Sequence, residues 1–251
     1  MNQYSWAMHL LTYKVNPYIL ACKEENMMHP TPTEWLRTAM LMLVNRSKAR
    51  LAAAGVNHDV FHNHHPHSGA TIARYPLVLY QQLEDRLKIT GINEGAEALK
   101  VLLSKYERPV EIDRNVLLGF VLKDERKFDV RLCDTPIHYS LTDWLPFNSD
   151  NYKHYQSLHR LSEKVGFLEH ILHRHLTADF GHFFGLDLQQ AEVTLLGIDS
   201  FIRSSRHITV NGRKRDFQPF TIQFETTISL PDFICLGNGK VYGHGLLQRL
   251  T

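Results

Sequence analysis

The sequence predicts an α+β fold in two related halves, and three observations carry that reading. In the first half the periodicities alternate as strand, helix, strand, strand, helix, with further extended chain after them. The second half runs through a variation on the same order, with a long helical stretch ahead of paired strands. No low-complexity linker separates the halves, so they are expected to pack together.

Taken in order, residues 4–15 (YSWAMHLLTYKV) have the apolar and aromatic content of a strand. Pro30 and Pro32 lead into a helix with Thr33 as its N-cap. Trp35, Leu36, Ala39, Met40, Leu43 and Val44 recur at helical spacing to about Ala54, and Gly55 ends it. Pro66 and Ser68-Gly69 mark the histidine-dense stretch from His58 to His67 as loop. Residues 75–83 and 86–92 read as strands joined by a polar turn at Glu84-Asp85, and 93–105 as a helix. Residues 110–133 supply more extended chain, which closes a ferredoxin-like unit or bridges out of it. Beyond it, one helix is expected from Tyr152 to about Thr177, despite the cost of Gly166 within it. Residues 192–199 and 217–228 read as strands, and Asn211-Gly212 between them is a hairpin signal. The domain boundary is set at 115/116, giving domains 1–115 and 116–251.

Composition narrows the function classes. With 43% hydrophobic residues in 251, the chain can bury a substantial core, roughly 70% of its extended surface. Lys and Arg number 28 against 26 Asp and Glu, a formal charge of +2, so any polyanion affinity must come from local clustering. Cys22, Cys133 and Cys235 are odd in number and unpaired in spacing, which argues for reduced thiols in the cytoplasm. The N-terminus has no signal-peptide pattern, and no apolar run approaches the roughly 20 residues of a membrane helix.

Sixteen histidines are the compositional oddity, and five of them fall between residues 58 and 67. In Phe61-His62-Asn63-His64-His65-Pro66-His67, His62 and His64 face the same side if the chain is extended. Imidazoles suit proton transfer at neutral pH. Attack of an RNA 2′-hydroxyl on its neighbouring phosphorus needs such a base, an acid for the departing 5′-oxygen, and a cation near the phosphate. The same residues also read as a solvated polar loop.

Three further clusters stand out. Gly237, Gly239, Gly243 and Gly245, with Lys240 among them, permit close backbone approach and can cradle a phosphate, or form a tight terminal turn. Arg203, Arg206, His207, Arg213, Lys214 and Arg215 surround the expected hairpin as a basic patch, fit for a phosphate backbone or for an ordinary solvated edge. His154, His159, His170, His173 and His175 populate the long helix. His170 and His173 share a face there, but Glu169 and Asp179 are not at a recognisable ligand spacing and no cysteine flanks them, so no metal site is expected.

Four blocks, in order, resemble one known family: Pro32-Thr33-Glu34-Trp35-Leu36-Arg37; His62-Asn63-His64; Arg74-Tyr75-Pro76-Leu77-Val78-Leu79-Tyr80; and Gly91-Ile92-Asn93-Glu94-Gly95-Ala96-Glu97. Their order and spacing look like the b-type branch of the CRISPR repeat-processing endoribonucleases, the "Cas six" group of the RAMP superfamily. Asp143-Trp144-Leu145-Pro146-Phe147-Asn148, with Asn151-Tyr152, and the glycine stretch 237–245 are similar to it as well. The resemblance implies two ferredoxin-like (RRM-like) domains side by side and cleavage of CRISPR precursor RNA without metal or cofactor, leaving 5′-hydroxyl and 2′,3′-cyclic phosphate ends. It implies His62, His64 and Tyr75 as catalytic residues. Arg74, the basic patch and the glycine stretch are expected to bind RNA. The extra histidines His65 and His67 leave acid and base unassigned. The alternative is a repeat-binding subunit that cuts slowly or not at all, retaining the mature guide RNA in an effector complex; a homodimer is a family-level expectation.

Overall fold

Met8, Leu10, Leu11, Thr12 and Val15 are buried along β1 (Trp6–Ile19), so residues from both faces of this strand are covered. The computed structural model describes residues 6–19, 31–61, 74–84, 86–113, 116–201, 206–210 and 213–250. The chain divides into a first unit, Met8–Lys127 with Val241–Gly243, and a second, Phe128–Lys240 with Met1–Ala7 and His244–Thr251. The division at Lys127/Phe128 lies within a strand.

In the first unit α1 (Pro32–Arg46) starts earlier than the spacing suggested. Thr31, not Thr33, is the N-cap: its Oγ1 accepts from the Glu34 N–H at 3.4 Å, and the Glu34 carboxylate accepts from the Thr31 N–H at 3.1 Å. Pro32 supplies the preset φ of a first helical position. The expected single helix is two, because Ser47 interrupts it before α2 (Lys48–Ala53). Arg46 fixes the end of α1 by donating to the carbonyls of Glu111 and Ile112 at 2.7 and 2.9 Å.

A 3-10 turn, His58–Phe61, comes next, then β2 (Val78–Leu83), β3 (Arg86–Ile92), α3 (Glu94–Leu103), β4 (Val110–Asp113) and β5 (Val116–Trp144). Strands lie in the order β2-β3-β1-β5, with β4 on the start of β5, and the β2–β3, β3–β1 and β4–β5 pairs are antiparallel. Thr12 on β1, Thr90 on β3 and Gln81 on β2 form a buried ladder of hydrogen bonds, at 3.2 and 3.0 Å, through the middle of this sheet. Pairing the buried hydroxyls and amide removes the cost of leaving them dry and unbonded.

The second unit takes up β5 at Phe128 and continues through α4 (Ser149–Ser157), α5 (Leu161–Arg174) and a π-helical turn, His175–Gly181. The expected helix from Tyr152 to Thr177 is thus broken. Asn148 caps α4 by accepting from the Asp150 and Asn151 N–H groups, and Leu158 turns extended (φ −75°, ψ 130°) to end it. Glu163 restarts the helix by accepting from the Arg160 N–H at 3.1 Å. Strands β6 (Val193–Phe201), β7 (Arg206–Val210), β8 (Arg213–Phe217), β9 (Phe220–Ser229) and β10 (Leu246–Arg249) follow. β7 and β8 pair antiparallel as a separate two-stranded sheet with Val210 opposite Arg213, and Asn211-Gly212, the expected turn, lies outside the described residues.

Because β5 pairs with both β10 and β9, and β9 with β6, the second unit reads β10-β5-β9-β6. With β4 set aside and the rest numbered in chain order, the four strands along each of these two paths lie 4-1-3-2. This is the ferredoxin-like order, met twice in one chain. Between β9 and β10, where the pattern places a second helix, the chain has instead a 3-10 turn, Lys240–Tyr242, of which Val241 and Tyr242 belong to the first unit. The core of the second unit packs Tyr139 and Trp144 of β5 with Phe220, Phe224 and Ile228 of β9 and Leu168, Ile171 and Leu172 of α5. No helix among the described residues is long and apolar enough to cross a membrane.

Candidate active site

His62 and His64 fall in positions 62–73, outside the described residues, but both ends of that segment are well placed in the first unit. On the incoming side the 3-10 turn buries Val60 and Phe61. On the outgoing side Arg74 is half-buried, and its Nη2 donates to the Asp59 carbonyl at 2.7 Å. Tyr75 is only 2% exposed. The Tyr80 hydroxyl donates to the Phe61 carbonyl at 3.3 Å. The two flanks of the segment are therefore tied to each other by two bonds. Burial pushes the Tyr80 phenol well above its ordinary pKa, against the pull of the Arg37 guanidinium, so the hydroxyl remains a neutral donor.

Two more elements reach this base. From α1, the Arg37 guanidinium lies over the Tyr242 ring, 5.5 Å from its centroid. After Tyr242, Gly243 adopts φ +81°, and a side chain there would put its Cβ 2.8 Å from the Tyr80 carbonyl oxygen. Only glycine gives both the left-handed backbone and the close approach. Phe61, Tyr80, Arg37 and Tyr242 are thereby brought together around the base of the histidine segment. Sequence reading did not single out Arg37, Tyr80 or Tyr242 as site residues. Their signal lay in motifs already noted, since Arg37 closes the first family block and Tyr242 sits between glycines.

The rest of the glycine stretch belongs to the second unit, where its close approaches are to the protein itself. Gly237 (φ +88°) abuts the Trp144 indole, and a Cβ on Gly245 (φ +69°) would run into the Leu236 carbonyl. Gly239 is also left-handed, at φ +69°. Half-buried Lys240 donates from Nζ to the Gly237 carbonyl at 2.7 Å, bracing the turn from within. Asp143 receives His244 Nδ1 at 2.5 Å.

Behind this turn, the Trp144 Nε1–H donates to His175 Nδ1 at 3.2 Å. An indole can only donate, so Nδ1 carries no proton. Burial, aided by Lys240 and Arg174, holds the His175 imidazole pKa well below its ordinary value, so its 3.8 Å approach to Asp179 is not an ion pair.

The basic patch is placed by backbone alone. Arg206 opens β7 and Arg213, Lys214 and Arg215 open β8, while Arg203 lies outside the described residues. Among the described residues no three His, Cys, Asp or Glu are grouped to hold a metal.

Family models described as the Cas6b N-terminal domain and the Cas6b C-terminal domain match residues 18–120 and 131–250. The fold is similar to a crystal structure of Cas6b at TM-score 0.64 and 14% identity, covering 98% of this chain and all of that one. A structure titled CRISPR RNA processing endoribonuclease Cas6b matches at TM-score 0.53 and 14% identity, over 96% and 100% of the two chains. Csf5, described as a CRISPR-Cas type IV Cas6 crRNA endonuclease, matches at 0.55 and 13%, over 98% and 100%. No curated protein matches the chain.

Proposed function

The chain belongs to the Cas6b family, and from that premise we propose that it is an endoribonuclease that cuts CRISPR precursor RNA within its repeats. The reaction is attack of a 2′-hydroxyl on the adjacent phosphorus, without a metal, leaving a 2′,3′-cyclic phosphate and a 5′-hydroxyl. One of His62 and His64 takes the hydroxyl proton and the other gives a proton to the departing 5′-oxygen, each role being typically worth 10²–10⁴-fold.

The observation that carries this reading is the closed base of the histidine segment. Arg74 on Asp59 and Tyr80 on Phe61 hold both ends of a stretch that contains the two histidines, and a fixed anchorage is what positioned acid–base chemistry requires. At 2% exposure Tyr75 fits a part in anchoring that segment, steadying the histidines from beneath. Arg74, the β7–β8 hairpin and the glycine stretch complete the proposed RNA contacts. The glycines contribute by shaping the backbone there, and Lys240 by bracing it.

Incubation of the purified protein with a repeat RNA in excess chelator tests the proposal. Cleavage is expected to persist there and to stop when the scissile nucleotide carries 2′-deoxyribose, because the nucleophile is gone. Cleavage of the deoxy substrate would overturn the mechanism, and tight binding of the natural repeat without products would favour a non-cutting, guide-retaining subunit.

A further inference from the structure

Three arginines of the first unit donate to backbone carbonyls. Arg46 donates to the Glu111 and Ile112 carbonyls, Arg50 to the Leu102 carbonyl and Arg74 to the Asp59 carbonyl. Arg37 differs. Its Nε is buried and has no hydrogen-bond partner, as is also true of Arg50 Nε, but Arg37, unlike Arg50, has no carbonyl bonded to the rest of its guanidinium among the described residues. Its Cζ lies over the Tyr242 ring, a contact that consumes none of its N–H donors.

Positions 62–73, which follow Phe61 in the chain, contain no Asp or Glu. A cation held over an aromatic ring, with no hydrogen bond or ion pair to its donors among the described residues, is arranged for an anion that arrives from outside. A planar fork of N–H donors matches the oxygens of a phosphate group. Its place matters too: Arg37 acts electrostatically on the Tyr80 hydroxyl, which bonds the carbonyl immediately before His62.

We propose that Arg37 binds a phosphodiester of the RNA beside the histidine segment, and that Tyr242 is the positioning residue that holds its guanidinium in plane. This rests on the reading of the chain as a repeat-RNA nuclease and names the cation that reading requires. The Tyr242 contact gives the 3-10 turn before Gly243 a part in orienting the phosphate ligand, through its ring and without a contact of its own to RNA.

The test measures binding of a repeat RNA that carries 2′-deoxyribose at the scissile nucleotide, at several salt concentrations, together with single-turnover cleavage of the natural repeat. Arg37→Gln is expected to weaken binding about tenfold and to reduce the slope of log affinity against log salt by about 0.7–0.9, the signature of one lost phosphate contact. Arg37→Lys should keep the slope but recover only part of the affinity and rate, since it keeps the charge and loses the fork. Tyr242→Phe should match the wild type, and Tyr242→Ala should lower the cleavage rate with the slope retained. Thermal melting of each variant monitors the fold, and the Lys variant carries the test where the Gln variant melts early. Unchanged affinity, slope and rate in Arg37→Gln, with a wild type that binds and cuts, would overturn this inference alone. A wild type that neither binds nor cuts repeat RNA would overturn the underlying reading with it.

Discussion

The Arg74 guanidinium donates to the Asp59 carbonyl at 2.7 Å, fifteen positions back along the chain. The bond ties the exit of the histidine segment to its entry. Tyr80, on the first strand after the segment, repeats the tie one layer deeper by bonding Phe61. Both are long-range bonds to backbone, so they hold the two flanks of the segment together.

Removing the outer tie should therefore affect rate more than affinity. Arg74→Ala is expected to slow single-turnover repeat cleavage by about 10–10²-fold, since small misplacement of catalytic groups is costly. Binding of the deoxy-substituted repeat should weaken by much less, and Arg74→Lys should restore part of the rate. Equal losses in rate and affinity would make Arg74 chiefly an RNA contact.

Stability should respond to acid through His175. The ring is neutral in the fold, its pKa held down by burial first and by Lys240 and Arg174 second. Once unfolded it regains an ordinary pKa near 6.5, so below that pH the unfolded chain binds the extra proton and stability falls as pH falls. The slope from this one group reaches about 1.4 kcal/mol per pH unit until the folded ring itself titrates, and it vanishes well above pH 6.5. Urea denaturation at pH 7.5 and 5.5 should show a smaller loss for His175→Gln than for the wild type, by roughly 1 kcal/mol or more. Parallel losses in the two proteins would contradict a neutral buried ring.

Gly166 offers a gain. It lies exposed in the interior of α5, and an added Cβ there would meet nothing within 4 Å. Gly166→Ala should raise stability by about 0.8–1.0 kcal/mol from helix propensity, read as a higher urea midpoint at unchanged slope. No gain would mean that α5 is already ordered without it.

Strand alternation was the most legible part of the fold. Phe220, Ile222, Phe224, Thr226 and Ile228 are buried in turn along β9, as period two predicts from the residues. Helix limits were less so, because the competing signals are polar and local. Thr31 outcompetes Thr33 as N-cap since Glu34 stands three residues after it, and Asn148 starts α4 before any apolar period appears. The histidine segment was visible as a motif, while the anchorage beneath it was not. Asp59 to Arg74 and Phe61 to Tyr80 are pairings across a loop, and no periodicity reports which carbonyl a side chain will find. Lys240 shows the converse, a cation in a glycine-rich turn that reads as a phosphate ligand and in the fold braces its own turn.

The central claim, that two imidazoles around residue 63 move the protons of strand scission, is tested most directly by the single-turnover rate of the His62→Ala/His64→Ala double variant on repeat RNA in chelator. The account predicts a rate at least about 10⁴-fold below the wild type, with repeat binding retained and the Tm unchanged. A double variant that cuts at the wild-type rate would contradict it.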